Sequence, residues 1–150
     1  MAQPKGKLTY YCPYCNQKLS FFDGTIVKLA GRLHAEHFTC KTMIYVSGKL
    51  GQYGGIVGEG VRVREGARME FECTNGACKA NFTTSYDDNL AEIKLIDGEG
   101  REFAVIFNKI YGKRSTFIVD VKEKTLSKKY GQDAQEFQPD FDKPLNFFGH

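Results

Sequence analysis

Tyr11-Cys12-Pro13-Tyr14-Cys15 near the start of the chain and Cys73-Thr74-Asn75-Gly76-Ala77-Cys78 in its middle decide how the sequence reads. Each cysteine pair follows a strand-like run, Leu8-Thr9-Tyr10-Tyr11 before the first and Met69-Glu70-Phe71-Glu72 before the second. A tight turn that leaves a strand and closes on two thiols is a knuckle. Two knuckles supply four soft ligands, and four thiolates fill a tetrahedral shell around Zn²⁺ at metal–sulfur distances of about 2.3 Å. The expected ligands are Cys12, Cys15, Cys73 and Cys78, holding one Zn²⁺ per chain. A filled shell leaves no position for water, so the expected metal is structural rather than catalytic. A redox pair of thioredoxin type would need a helix starting at the first cysteine. Here Pro13 follows Cys12, and Asn16-Gln17-Lys18-Leu19-Ser20 reads as a turn back into a strand. In the second pair four residues separate the thiols instead of two, and Asn75-Gly76 is the place expected to absorb the extra length.

Outward from the knuckles the chain reads as mostly β. Glycine occurs 16 times, and most glycines punctuate β-branched or aromatic runs. The expected strands are Lys7–Tyr11, Thr25–Leu33, His37–Ser47, Gly60–Arg64, Arg68–Glu72, Asn81–Tyr86, Leu90–Ile96, Glu102–Asn108 and Ser115–Lys122. In the third of these, Phe38, Cys40, Thr42, Ile44 and Val46 fall on one face and Thr39, Lys41, Met43 and Tyr45 on the other. Asp97-Gly98-Glu99-Gly100 predicts a hairpin turn, and Tyr111-Gly112-Lys113-Arg114 a second one. Residues 90–122 then form a three-stranded antiparallel meander. A short helix is expected near Glu123–Tyr130, stopped by Gly131.

The layout is a domain over residues 1–130, with residues 15–73 as a β insertion between the knuckles, and a flexible acidic-aromatic tail over 131–150. A metal clip across so long an insertion is worth on the order of 4 kcal/mol if it acts as a cross-link.

The remaining candidates are weaker. Cys40 shares a strand face with Phe38, Ile44 and Val46 and reads as a small core residue. His34, His37 and Cys40 could form a second metal set, but His37 and Cys40 fall on opposite faces of the strand. The two histidines read as surface or turn residues. Gly51-Gln52-Tyr53-Gly54-Gly55 lacks the Lys and Ser/Thr of a phosphate-binding loop, and no nucleophile–base motif is present. The expectation is that the chain is not an enzyme.

The net charge is +3, too small by itself to assign a nucleic-acid partner. Its distribution is uneven. Lys109, Lys113, Arg114, Lys122, Lys124, Lys128 and Lys129 stand against Asp120 and Glu123, and an acidic tail bearing Phe137, Phe141, Phe147 and Phe148 follows. Lys109, Tyr111, Lys113, Arg114, Lys128 and Lys129 are the candidate nucleic-acid-binding residues, with aromatic faces beside cations as single-strand binders use them. The tail is expected to dock on that basic segment or on a partner. The longest apolar run is far shorter than the roughly 20 residues of a spanning helix, and the first residues carry no secretory apolar stretch. The expected compartment is the cytoplasm, where thiols stay reduced and bind metal rather than pair.

Tyr11-Cys12-Pro13-Tyr14-Cys15, Val27-Lys28-Leu29-Ala30-Gly31, Val63 to Phe71 and the Cys73/Cys78 knuckle together resemble a group of small bacterial zinc-ribbon proteins whose function is uncharacterised. The resemblance covers residues 7 to about 120. It implies a bacterial, cytoplasmic, zinc-bearing chain with a zinc ribbon interrupted by a β insertion, and it implies no substrate. The functional expectation is a non-enzymatic zinc-binding adaptor or regulator acting through a protein partner. Nucleic-acid binding through residues 109–129 is the first alternative, and an enzyme with its site in the insertion is the second.

Overall fold

Period-two alternation of apolar and polar residues turns about half of the described residues into strands. The computed structural model describes residues 3–21, 24–34, 39–49, 55–57, 66–85, 87–110, 113 and 115–131. Among them the strands are β1 (Thr9–Tyr11), β2 (Ser20–Phe21), β3 (Ile26–His34), β4 (Thr39–Ser47), β5 (Gly55–Val57), β6 (Arg68–Glu72), β7 (Leu90–Ile96), β8 (Glu102–Asn108), β9 (Thr116–Asp120) and β10 (Thr125–Tyr130). The described residues contain no helix, and so none long and apolar enough to cross a membrane.

The strands form two antiparallel sheets. One runs in the order β1-β7-β8-β9-β10. The other runs β2-β3-β4-β5, with β6 also on β3. The β3 strand organises the second sheet. Its whole length from Ile26 to His34 pairs with β4. The opposite edge is shared: β2 takes Ile26 and Val27, and β6 takes Ala30 to His34. The Lys28 N–H donates to the Leu19 carbonyl at 2.7 Å in the stretch between them. The strand that leaves the first knuckle and the strand that approaches the second therefore lie end to end along one edge.

Backbone hydrogen bonds join the two sheets into a circuit. Leu19 N–H donates to Tyr10 O at 2.8 Å, linking β1 to the start of β2. Phe82 N–H donates to Phe71 O at 2.8 Å, and Glu92 N–H to Phe82 O at 2.8 Å, so the short segment after the second knuckle bridges β6 to β7. The Tyr10 hydroxyl adds a buried side-chain link, donating to Gly48 O at 2.5 Å just beyond β4. The main core fills the space so enclosed. Val27, Leu29 and Ile44 come from one sheet; Tyr10, Ile93, Leu95, Phe103, Val105 and Ile118 come from the other; Phe71 and Phe82 complete it. Phe71 meets Phe107 edge-on at 5.3 Å. Each such side chain stabilises the fold by roughly 1.5–3 kcal/mol on burial. A smaller cluster of Leu90, Ala104, Ile106, Phe117 and Val119 occupies the other face of the first sheet.

The expected meander is present as β7-β8-β9, but it is the middle of a wider sheet. β1 adds to β7, with Tyr10 opposite Leu95, and β10 adds to β9. The helix expected near Glu123–Tyr130 is a strand instead. Residues 121–124 turn, Lys124 takes a left-handed φ of 55°, and Thr125–Tyr130 return along β9. A bulge between Leu126 and Lys128 breaks the alternation. The helix signal in the sequence is short and weak, resting on Gly131 as a stop, and pairing with a buried strand overrides such weak propensities. In the β7–β8 hairpin the left-handed residue is Gly100, at φ 79°, rather than Gly98. Gly98 is needed for close approach: a Cβ there would lie 3.1 Å from Lys5 O and Lys7 N.

The expected strand Gly60–Arg64, His37, Tyr86, Tyr111, Arg114 and the tail from residue 132 onward lie outside the described residues. So do the side chains of His34, Cys40 and Lys128.

Candidate metal centre

Each knuckle joins one sheet to the other. The first leaves β1 and returns into β2; the second leaves β6 and returns through residues 81–84 to β7. The sulfurs of Cys12, Cys15, Cys73 and Cys78 meet at this junction, all within 4.8 Å of one another. Cys12 Sγ lies 3.9 Å from Cys78 Sγ, and Cys15 Sγ lies 3.5 Å from Cys73 Sγ. The edges of a tetrahedron with metal–sulfur bonds of about 2.3 Å are about 3.8 Å long. The four thiols are thus spaced as ligands of one ion, and both close contacts run between knuckles. All four are free thiols.

The two turns share one hydrogen-bond scheme. Cys12 N–H donates to Gln17 O at 2.9 Å, and Cys73 N–H to Ala80 O at 2.9 Å. Tyr14 N–H reaches Cys12 Sγ at 3.4 Å, and Asn75 N–H reaches Cys73 Sγ at 3.4 Å. Each turn closes with a left-handed residue directly after its second cysteine, Asn16 at φ 63° and Lys79 at φ 52°. The longer spacing of the second knuckle is absorbed by Asn75. Its side-chain oxygen accepts the Ala77 N–H at 2.9 Å, and its carbonyl accepts the N–H of Cys78 and of Lys79, both at 3.0 Å. The sequence singled out Asn75-Gly76; the structure assigns the turn to Asn75, and the left-handed residue is Lys79 rather than Gly76. Asn75 also crosses between knuckles, its Nδ2 standing 3.9 Å from Cys15 Sγ. Lys94 holds the first knuckle to the first sheet, with Nζ 3.1 Å from Asn16 Oδ1 and 3.0 Å from Glu102 Oε1.

Cys12 and Cys73 are buried, Cys78 is half-buried and Cys15 is exposed. Burial pushes the Cys12 thiol up to about 11, against N–H donors that favour its thiolate. Burial likewise raises Cys73, and its neighbours Cys15 and Cys12 add to the rise. At Cys15 burial acts in the same direction but is outweighed by the Gln17 N–H and by the thiols of Cys73, Cys78 and Cys12, which lower it. Four clustered sulfurs cannot all carry charge without a cation among them. A divalent ion supplies that charge and displaces the protons, which couples metal binding to the folded arrangement.

A second polar cluster lies at the β6 edge, where sequence reasoning placed part of a nucleic-acid surface. Lys109 is fully buried, and its Nζ lies 2.6 Å from Glu70 Oε2 and 2.7 Å from Thr83 Oγ1. Thr83 and Asn81 also donate to Glu70 Oε2, and Arg68 Nε lies 3.3 Å from Oε1. Burial would raise the Glu70 carboxyl, but the hydrogen bonds from Lys109 and Thr83 and the lysine charge bring it from an ordinary 4.5 down to about 2. Lys109 therefore presents no cation to a phosphate, which corrects its assignment to a nucleic-acid surface. The pattern held a signal for this: Phe103, Val105, Phe107 and Lys109 alternate on the core-facing register of β8 and its continuation. Lys113 and Lys129 are exposed. Tyr111 and Arg114 lie outside the described residues, and of Lys128 only the backbone, within β10, is described.

No protein-family model matches the chain, and no curated protein or solved structure matches it. What the structure supports of the expected resemblance is a cluster of four cysteines able to hold a metal ion in a mostly β setting.

Proposed function

We propose that the chain is a non-enzymatic zinc-binding protein, an adaptor or regulator, in which the ion is structural and function is exerted by binding a partner. The observation that carries this reading is the convergence of four cysteine sulfurs within 4.8 Å at the junction of the two sheets. An all-thiolate tetrahedral set selects zinc among common divalent ions by softness and geometry. The set also fills the coordination shell, so the ion has no open position at which to activate water. What it contributes is a clamp: the β1 end of one sheet and the β6 end of the other are fixed to a single centre. A scaffold held in this way can present sheet surfaces with little conformational loss on binding.

Elemental analysis of purified protein tests the metal, and one zinc per chain is expected. Cobalt(II) substitution should give the ligand-field and charge-transfer bands of a tetrahedral tetrathiolate site. A fully folded protein without metal, or stoichiometric iron in place of zinc, would overturn the reading. Capture of partners by the zinc-loaded chain, compared with a Cys78→Ser variant, tests the adaptor role. Equal capture by both would separate partner binding from the metal.

A further inference from the structure

The outer face of the second sheet carries an alternation of rings and cations. Along β3, Val27, Leu29 and Gly31 point into the core and Ile26, Lys28, Ala30 and Arg32 point away from it. Strand register extends this outer face sideways: Phe21 lies opposite Ile26, Tyr45 opposite Lys28, Met43 opposite Ala30, and Lys41 opposite Arg32. Phe21 and Met43, at 41% and 40% exposure, are the large hydrophobic residues exposed among the described residues, and both lie on this one face. Lys28 Nζ stands between two rings, 5.9 Å from the centre of Phe21 and 6.0 Å from that of Tyr45. Lys41 and Arg32 add cations further along, while on the β6 side Glu72 stands opposite Ala30 and Glu70 opposite Arg32, with Glu72 3.6 Å from Arg32, so the net positive part of the face is the β2–β3–β4 side.

We propose that this face, built on Phe21, Lys28, Tyr45 and Met43, binds single-stranded nucleic acid. The argument is one of chemical match. Unpaired bases expose flat π-faces that stack on aromatic side chains without regard to sequence, while the backbone requires cations at intervals beside them. Here a lysine is set between two aromatic rings on a partly exposed sheet face, with further cations two residue pairs along the same strands. A duplex keeps its bases stacked on each other and offers a flat aromatic sheet only its backbone. An acidic peptide would use the cations but has no need of paired rings. The proposal goes beyond the adaptor reading and requires only the folded sheet.

The test is fluorescence anisotropy with the zinc-loaded full-length chain and labelled oligo-dT and oligo-U of about twelve nucleotides, within the range of single-strand site sizes. Binding should weaken about tenfold for Phe21→Ala and for Tyr45→Ala, as loss of one stacked base predicts. Phe21→Leu, which keeps apolar bulk and removes the ring, should weaken it similarly. Lys28→Ala should reduce the slope of log affinity against log salt by about 0.7. Lys113→Glu and Lys129→Glu, on the first-sheet half of the chain, should leave affinity unchanged. Zinc content and thermal transition are measured for every variant, so that loss of fold is told apart from loss of the surface. The proposal is overturned by absence of binding, by face variants that bind like the parent, or by loss that follows Lys113 and Lys129. Equal affinity for a duplex of the same length overturns it as well, and so does displacement of the oligonucleotide by poly-glutamate at equal charge.

Discussion

Asn16 and Lys79 hold the same left-handed backbone, at φ 63° and 52°, each one residue beyond the second cysteine of its knuckle. The knuckles differ in length and come from distant parts of the chain, yet both turn back at the same point. The sulfur positions impose this: a strand must deliver two thiols to one side and then reverse. Asparagine is among the few non-glycine residues that visit that conformation readily, and lysine is not.

Lys79→Gly should therefore stabilise the zinc-loaded protein by up to about 1 kcal/mol, because glycine removes the Cβ clash of the left-handed region. Lys79→Val should destabilise it, since a β-branched residue fits that region worst. Chemical unfolding of the three proteins side by side decides the matter, and zinc content should be unchanged for Lys79→Gly.

Cys78→Ser should empty the site and lower stability by about 4 kcal/mol, the loop-closure value of a cross-link spanning nearly sixty residues. Limited proteolysis should then cut between β2 and β6. Parental zinc content and an unchanged unfolding midpoint in this variant would show that Cys78 is not a ligand and that the clip is not closed through it.

The Glu70–Lys109 pair gives a pH signature. Glu70 titrates near 2 when folded and near its ordinary 4.5 when unfolded. A lowered folded value means that the pair stabilises the protein above about 4.5, and that this contribution is lost as pH falls from there toward 2. Glu70→Gln should be less stable than the parent at pH 7, and the difference should shrink across that window. Lys109→Ala should cost about 3 kcal/mol, because it strands a partly buried carboxylate. Lys109→Met, which removes the charge and keeps the volume, should behave no better unless Glu70→Gln accompanies it. Stability curves at several pH values for the single and double variants provide the check.

Tyr10→Phe should cost about 1–2 kcal/mol, as it leaves the Gly48 carbonyl without its buried donor. Because that bond ties β1 to the end of β4, the loss should show as faster amide exchange at the chain reversal near Gly24 and Gly48 as well as in global unfolding. A variant as stable as the parent would place a replacement donor at Gly48.

Much of this fold was legible in the sequence where the signal was local. Val27, Leu29 and Ile44 alternate visibly, and the apolar runs of β7 and β8 are bounded by Asp97 and the glycines that follow. The metal set was readable because thiols, strand approach and turn residues coincide twice. The signals that failed were long-range or masked. Nothing near Tyr10 announces that β1 will pair with β7, and β2 has only two residues. In β10 a bulge between Leu126 and Lys128 hides the alternation, and the short stretch before Gly131 reads as a helix. Lys109 reads as a surface cation in the sequence because its partner, Glu70, is distant along the chain, and only the register of β8 marks it as inward-facing. The aromatic face of β2, β3 and β4 became apparent only when strand pairing brought Phe21, Lys28 and Tyr45 together.

On the ribosome, the shared edge of β3 divides synthesis into two stages. Cys15 precedes Cys73 by 58 positions, an interval of about three to twelve seconds at roughly 5–20 residues per second. In that interval β3 and β4 have emerged, but the half of the β3 edge reserved for β6 has no partner, and an unpaired edge recruits other chains. The first two thiols wait equally long for the second two. Completion of the four-cysteine cluster and closure of that edge depend on the same late segment, so the unpaired edge and the incomplete thiol set are resolved together when β6 and the second knuckle emerge.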